Sequence, residues 1–459
     1  MMPRTSSTRR LLLLAALLLA APAHADVSMT TDVEWGAPTP LFSNGMILQR
    51  EMTVPIFGKA DAGESVTVTF NGQQKSTVTG ADGRWRIDLD PMVAGGPLTM
   101  TVTGNNTIVI SDVRIGEVWI AGGQSNMRRL PVERSVLDAH PTVRTLIRTG
   151  WNDQPGINPY KFALDLEESL GVPIGILNLA VSGSSVASWL GTTGATDPDP
   201  AVQPYLIDDW GINYRRLVKP LQPFRFRGVI WWQGEEDARH PQRHRTLYPA
   251  VIRSWRAEWG NGDFPWISMQ VPTGRGLRAD RSVSALPSNA SASDKDSFIR
   301  QTYVRALAEF PYTSFASSLD LKGGTHPPDT DAYSTRLFYQ ALALVYGESF
   351  LYSGPLFSSM EIEGSTIRIH YRNDTDDGLT AQGGGPIQGF AITGDNVTWH
   401  WADVAVDGND IVLSSASVAS PVAARYAWGN RPTWANLVNA AGLAAAAFST
   451  EVTPGEYGP

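Results

Sequence analysis

The chain contains no cysteine in 459 residues. This excludes disulfides, a thiolate nucleophile and cysteine-ligated metal sites. Histidine is scarce, with seven in all, so few residues are available as an imidazole base. Charged residues make up only 18% of the chain, 37 basic against 45 acidic, for a formal net charge of −8. A surplus of acid argues against nucleic acid or an anionic membrane surface as a partner. Beyond residue 25 no apolar run approaches the roughly 20 residues that span a bilayer, so no membrane association is expected there. Apolar residues still account for 42%, with 15 Trp, ample for a large core. The length points to roughly two to four domains.

Arg4, Arg9 and Arg10 precede an apolar stretch, LLLLAALLLAAPA (11–23), which leads into Ala23-His24-Ala25. A basic head, a short apolar centre and small residues at the cleavage position read as a secretory signal peptide over 1–25. The arginine pair lacks the rest of a twin-arginine motif. Three basic residues and no acids lie in this segment, so the remainder carries −11. An exported chain without disulfides is expected in a bacterial periplasm or outside the cell.

Residues 26–111 read as β structure. In ESVTVTF (64–70), Val66, Val68 and Phe70 share one face at period two, and Asn71-Gly72 marks a hairpin. Trp85, Ile87 and Leu89 repeat the alternation after Asp82-Gly83. Short strands at close spacing predict a small β-sandwich. From about 112 to 351 the pattern changes. Four apolar runs, GEVWIAGG (116–123), VPIGILNLAV (172–181), RGVIWWQG (227–234) and FPWISMQV (264–271), alternate with helical stretches such as 158–170 and 294–310. That alternation predicts a parallel, doubly wound α/β sheet, whose ligands bind at the carboxyl ends of its strands. Residues 352–459 return to short β runs and read as a second β domain. The Ser- and Ala-rich stretch 273–295, carrying Arg275, Arg278 and Arg281, reads as a surface or substrate-edge loop.

The glycine-rich strand ends are where chemistry is expected. Ser125 follows the first run in IAGGQSNM. At a strand-to-helix junction its hydroxyl is presented beside unpaired helix N–H groups, as a nucleophile requires. The same position suits a helix cap. Gly183, in AVSGSSVASW, offers a second N–H for an oxyanion, and the Gln233 carboxamide, in IWWQGEE, a third. Of the histidines, His326 in KGGTHPPD stands in a late strand-to-helix loop and is the preferred base. His240 and His244, four apart in an arginine-rich stretch, read as a solvated helix face rather than a metal site. His140, His370 and His400 have no evident partners.

These stretches resemble the sialate O-acetylesterase-like branch of the SGNH hydrolases, which includes carbohydrate acetylesterases. The matching segments run from LFSNGMILQR near 41 to PVAARYAWGN, across most of the chain. The resemblance implies a flavodoxin-like three-layer α/β/α hydrolase domain with accessory N- and C-terminal β domains. It implies Ser125 as nucleophile, His326 as general base, and an oxyanion hole from Ser125, Gly183 and Gln233. No metal or organic cofactor is implied. Two departures stand out. Many relatives carry Asp two residues before the histidine, where this chain has Gly324, which leaves Asp320 or a backbone group to orient His326. Where the family continues Gly-Glu-Ser-Asn, this chain has Glu236-Asp237, altering the charge beside the pocket.

The expected activity is that of an exported serine esterase removing acetyl groups from carbohydrate. The alternative is a catalytically weak carbohydrate-binding protein on the same fold, favoured by the missing acid. An anionic sialate substrate calls for arginine near the site, with Arg128, Arg129 and the 275–281 arginines as candidates. A neutral hemicellulose such as xylan or xyloglucan calls for exposed aromatics. Trp189, Trp231 and Trp232 are the candidates, with core packing the default for the last two.

Overall fold

The computed structural model describes residues 27–29, 41–128, 139–147, 150–152, 159–206, 210–272, 285–291, 295–321, 323–327, 330–429 and 432–450. The expected signal peptide, Arg129, the arginines at 275, 278 and 281 and most of the 273–295 stretch lie outside the described residues.

Among the described residues, six parallel strands form the central sheet: β1 (Thr107–Gly123), β2 (Val143–Ile147), β3 (Ile174–Asn178), β4 (Gly228–Trp232), β5 (Trp266–Met269) and β6 (Thr313–Ala316). Their spatial order is β6-β5-β4-β1-β3-β2, with Gly150–Asn152 antiparallel to β2 at the edge. If the β2 hairpin is set aside as an edge addition, the order is that of flavodoxin-like sheets. The strand order reverses at β1, with β3 on one side and β4 on the other. Such a reversal opens a crevice beyond the carboxyl ends of these strands.

The apolar runs are continuous because both faces of this sheet are covered. Val229 and Trp231 of β4 join one core with Leu247, Val251 and Trp255 of helix α3 (Pro241–Trp259) and Ile299 and Tyr303 of α4 (Lys295–Glu309). Ile230 and Trp232 point the other way. They join Phe162 and Leu166 of α2 (Pro159–Leu170) and Leu337 of α5 (Asp331–Tyr346). The two helices expected from periodicity thus form within a residue of their predicted ends. Trp189, Trp231 and Trp232 are all buried, so none of the three offers an exposed platform for a neutral polysaccharide.

His244 also departs from expectation. The helix turns it inward with Leu247, Val251 and Trp255, because residues three and four apart share a face. Its ring stacks on Tyr248 at 5.5 Å and meets the edge of Tyr303 at 5.7 Å. Burial pulls its pKa down to about 4, so it is a neutral core residue and not part of a solvated face. His240, one residue before the helix, is exposed.

The N-terminal strands form as the alternation predicts, with Val66, Val68 and Phe70 inward and Asn71-Gly72 at the hairpin. They are joined to the central sheet by β1 itself. Its first half pairs with Gly95–Thr103 and its second half with β3. The boundary expected at 111/112 therefore falls inside one continuous strand. In the C-terminal region, Ile367, Ile369, Ile411 and Leu413 of one four-stranded sheet share a core with Phe390, Ile392 and Phe448 of another.

Where β1 enters the central sheet, Glu117 is fully buried. It accepts from Arg50 at 2.6 Å, from Arg227 at 2.8 and 3.0 Å, and from Gln49 at 3.2 Å. Burial pushes its pKa up, but the bonds and charge of Arg227, with Arg50 and Gln49, outweigh that and hold it below the ordinary value. Glu117→Gln leaves two guanidiniums facing each other and is expected to cost roughly 3–5 kcal/mol. A carboxylate with a depressed folded pKa stabilises above its unfolded pKa, and that contribution is lost as pH falls through the folded value. Chemical denaturation at pH 7 and in acid tests this. The gap between wild type and variant should be full at neutral pH and narrow in acid.

Candidate active site

β1 ends in Gly122-Gly123, and after Gln124 helix α1 (Ser125–Arg128) begins at once. Gly123 has φ +112, and a Cβ there would stand 2.2 Å from the Trp232 carbonyl oxygen. Only glycine permits this approach of β1 to β4. The contact continues as Gln124 N–H donates to the Trp232 carbonyl at 2.9 Å. The Gln124 side chain, itself buried, accepts from Gly234 N–H at 3.3 Å and Glu236 N–H at 3.4 Å. Ser125 is therefore held at the reversal point between β3 and β4.

The Ser125 Oγ lies 2.9 Å from His326 Nε2, across 201 residues of sequence. His326 sits in the loop between β6 and α5 and is exposed. This hydrogen bond is the contact that a serine nucleophile and its base require. For the imidazole to take the serine proton, Nε2 must be the unprotonated nitrogen and Nδ1 the protonated one. Gly183 lies in a turn closed by Ser184 N–H to Val181 O at 3.2 Å, and Val181 N–H in turn bonds Gly123 O at 3.0 Å. That ladder draws the turn against the start of the Ser125 loop. Neither the Ser125 N–H nor the Gly183 N–H has a hydrogen-bond partner among the described residues.

Gln233 is fully buried. Its amide nitrogen donates to the Ser184 carbonyl at 3.2 Å and to the Asp237 carboxylate. Both protons of this amide are thereby engaged, a difference from the free donor expected of it. The Gln233 backbone carbonyl accepts from the Tyr303 hydroxyl.

The acid expected near His326 is absent for a backbone reason as well as a side-chain one. Gly324 has φ +111, a conformation that an aspartate would adopt only under strain. Asp320 directs its two oxygens to Arg336, at 2.6 Å each. What ties down the histidine loop is Asn126. Its Nδ2 donates to the Thr325 carbonyl at 2.9 Å and to Glu235 Oε1 at 2.7 Å. Asn126 and Glu235 do not stand out in the sequence as site residues, although both lie inside the motifs IAGGQSNM and IWWQGEE. Their polarity beside apolar runs was the available signal.

Glu235 is held in a buried setting that raises its pKa to about 7. Burial is the main cause, opposed by the Asn126 bond and reinforced by nearby Asp296. A carboxyl group raised in this way binds a proton in the folded state before it does so unfolded. Its stabilising contribution is therefore full below about pH 4.5 and declines as pH rises through about 7. Melting curves from pH 5 to 8 should show wild type losing stability relative to Glu235→Gln. Parallel curves would remove this role from Glu235.

Glu236 is exposed while Asp237 is fully buried. The charge of Asp237 is met by Arg243 at 2.7 Å, so of the two only Glu236 presents its side chain to solvent. Arg128, one turn beyond Ser125, is exposed and makes no ion pair among the described residues.

Residues 129–298 match the family described as carbohydrate esterase, sialic acid-specific acetylesterase. That span holds Gly183 and Gln233 but begins after Ser125 and ends before His326. The chain is similar to sialate O-acetylesterase of Homo sapiens, with 25% identity over 393 residues, 70% of this chain and 73% of the human one. It is 24% identical over 488 residues to the Rattus norvegicus enzyme, covering 85% and 89%. Among solved structures, a carbohydrate acetylesterase from Xanthomonas citri matches with a TM-score of 0.77 at 29% identity. The match covers 90% of this chain and 99% of that one.

Proposed function

We infer, from the premise that the chain is a sialate O-acetylesterase-like carbohydrate esterase, that it hydrolyses acetyl esters of sugars through a serine acyl-enzyme. The observation that carries this is the 2.9 Å bond between Ser125 Oγ and His326 Nε2 beside two unspent backbone N–H groups. Ser125 Oγ attacks the acetyl carbonyl carbon as its proton passes to His326 Nε2. The carbonyl oxygen becomes an oxyanion and takes hydrogen bonds from the Ser125 and Gly183 N–H groups. The C–O bond to the sugar then breaks, and the sugar oxygen takes the proton from His326. Water enters, gives its proton to the same nitrogen and attacks the acetyl-enzyme. Collapse releases acetate and returns the proton to Ser125. Gln233, the third member of the expected oxyanion set, serves the hole from behind by fixing the Ser184 carbonyl.

The hydrolase domain of this reading is the flavodoxin-like three-layer α/β/α unit, which begins within β1 rather than at 112 and runs to about 351. Accessory β regions precede and follow it. The basic and apolar pattern over 1–25 supports export to the periplasm or beyond. For the substrate, the exposed Arg128 one turn from Ser125 and the burial of Trp189, Trp231 and Trp232 favour an anionic sugar. We therefore place acetylated sialic acid ahead of acetylated xylan or xyloglucan. Acetate release from both classes, measured side by side, tests the choice. Faster turnover of the hemicellulose ester would reverse it, and turnover of neither would end the esterase reading.

A further inference from the structure

Asp237 gathers hydrogen bonds from three separate segments of the chain. Its Oδ2 accepts the Val186 N–H at 2.7 Å and an N–H of Gln233. Its Oδ1 accepts Nε and Nη2 of Arg243, from the first turn of α3, at 3.1 and 2.7 Å. Asp237 is fully buried, and a buried carboxylate persists only where such donors replace water. The geometry gives these bonds a direction. Val186 lies three residues after Gly183. Gln233, held by Asp237, donates its other N–H to the carbonyl of Ser184, the residue next to Gly183. The segment after Gly183 is thus pinned twice, once at a carbonyl and once at an N–H, and both pins converge on one carboxylate.

We propose that the Asp237–Arg243 pair is a positioning device for the reaction. It fixes the turn whose Gly183 N–H receives the oxyanion, and it never touches the substrate. This rests on the oxyanion role given to Gly183 above. Arg243 occupies Oδ1 with both arms of its fork, which orients the carboxylate so that Oδ2 faces Val186 and Gln233. A neutral amide cannot do the same. Four N–H donors converge on Asp237, and an asparagine offers only one oxygen to them. Whichever way its amide turned, its NH2 would face either the Arg243 fork or the Val186 and Gln233 donors. One side of the turn would be released. An oxyanion donor contributes only when it stands at the right place before the charge develops, so release of the turn lowers the rate without weakening ground-state binding.

The test compares wild type with Asp237→Asn and Arg243→Lys. It reads kcat and KM on an aryl acetate, and affinity for an aryl boronic acid, whose adduct with Ser125 mimics the tetrahedral intermediate. Active enzyme is counted by the extent of labelling with a phosphonate ester. Asp237→Asn is expected to lower kcat about 10- to 100-fold, below the loss for removing a donor outright, with KM within about twofold. Boronate affinity should fall by the same factor as kcat/KM. Arg243→Lys keeps the charge but loses the fork and should show a smaller, parallel loss in both. A lower melting temperature with unchanged kcat and boronate affinity would make the pair merely structural and overturn the proposal. Should Asp237→Asn fail to fold, Arg243→Lys decides by the same criterion. If wild type is neither labelled at Ser125 nor inhibited by the boronate, the acyl-enzyme reading itself fails. If wild type is inhibited and both variants match it, only the positioning role fails.

Discussion

Ser125→Ala is expected to lower kcat on acetyl esters by about 10⁵–10⁶-fold while leaving the protein folded. The loss is large because, in the proposed mechanism, the hydroxyl supplies the bond-forming atom of the first step. The two free N–H groups and substrate binding would remain, and such residues of a site retain roughly 10³–10⁴-fold over water. The fold is expected to survive because the recorded partner of the Ser125 side chain is His326, an exposed residue. No buried donor or acceptor is orphaned by removing Oγ, so the stability change should stay within about 1 kcal/mol. Turnover of an aryl acetate and a melting curve on the same sample check both halves. A folded variant with activity within tenfold of wild type would exclude Ser125 as nucleophile. Loss of phosphonate labelling should accompany the loss of turnover.

His326→Ala is expected to cost about 10⁴–10⁶-fold in kcat. In the proposed mechanism the imidazole acts in both halves of the reaction, first accepting the serine proton and then activating water. Its removal leaves Ser125 with a hydroxyl proton and no acceptor at 2.9 Å. Because the two side chains act in one step, their effects should not add. The double variant Ser125→Ala/His326→Ala is expected to be no slower than Ser125→Ala alone. A further loss of about 100-fold in the double variant would mean that the two residues do not work as a unit. The missing aspartate does not weaken this expectation. The histidine loop is anchored through Thr325 by Asn126 and Glu235, so the position of His326 does not depend on an acid at 324.

Much of the architecture was legible because it is written in local periodicity. Val66, Val68 and Phe70 alternate, and they form the inward face of a strand. The helices around Phe162 and Tyr303 follow from spacing within a dozen residues. The candidate site is legible to the extent that short polar or glycine-rich segments follow apolar runs: Ser125, Gly183 and His326 stand out that way, and Ser125 and His326 come within 2.9 Å of each other. His244 was misread because its flanking arginines suggest solvent, while helix phase turns the imidazole itself inward. Trp189, expected as an exposed aromatic, is buried for a similar reason. Its sequence neighbours do not say that the facing surface belongs to Trp231 and Trp255, at 5.5 and 6.4 Å.

Local pattern alone places most of the strands and helices, excludes cysteine chemistry and singles out Ser125, Gly183 and His326 as candidates for acyl transfer. Only the tertiary structure decided which of them meet. Sheet order brings Ser125 to His326 across 201 residues. It also turns both Gln233 protons inward and gathers Asp237 and Arg243 beneath the Gly183 turn. The physical reason is that hydrogen bonds and burial depend on distances in space. Local periodicity constrains those distances over a few turns of chain, whereas the packing of a sheet constrains them across the whole molecule.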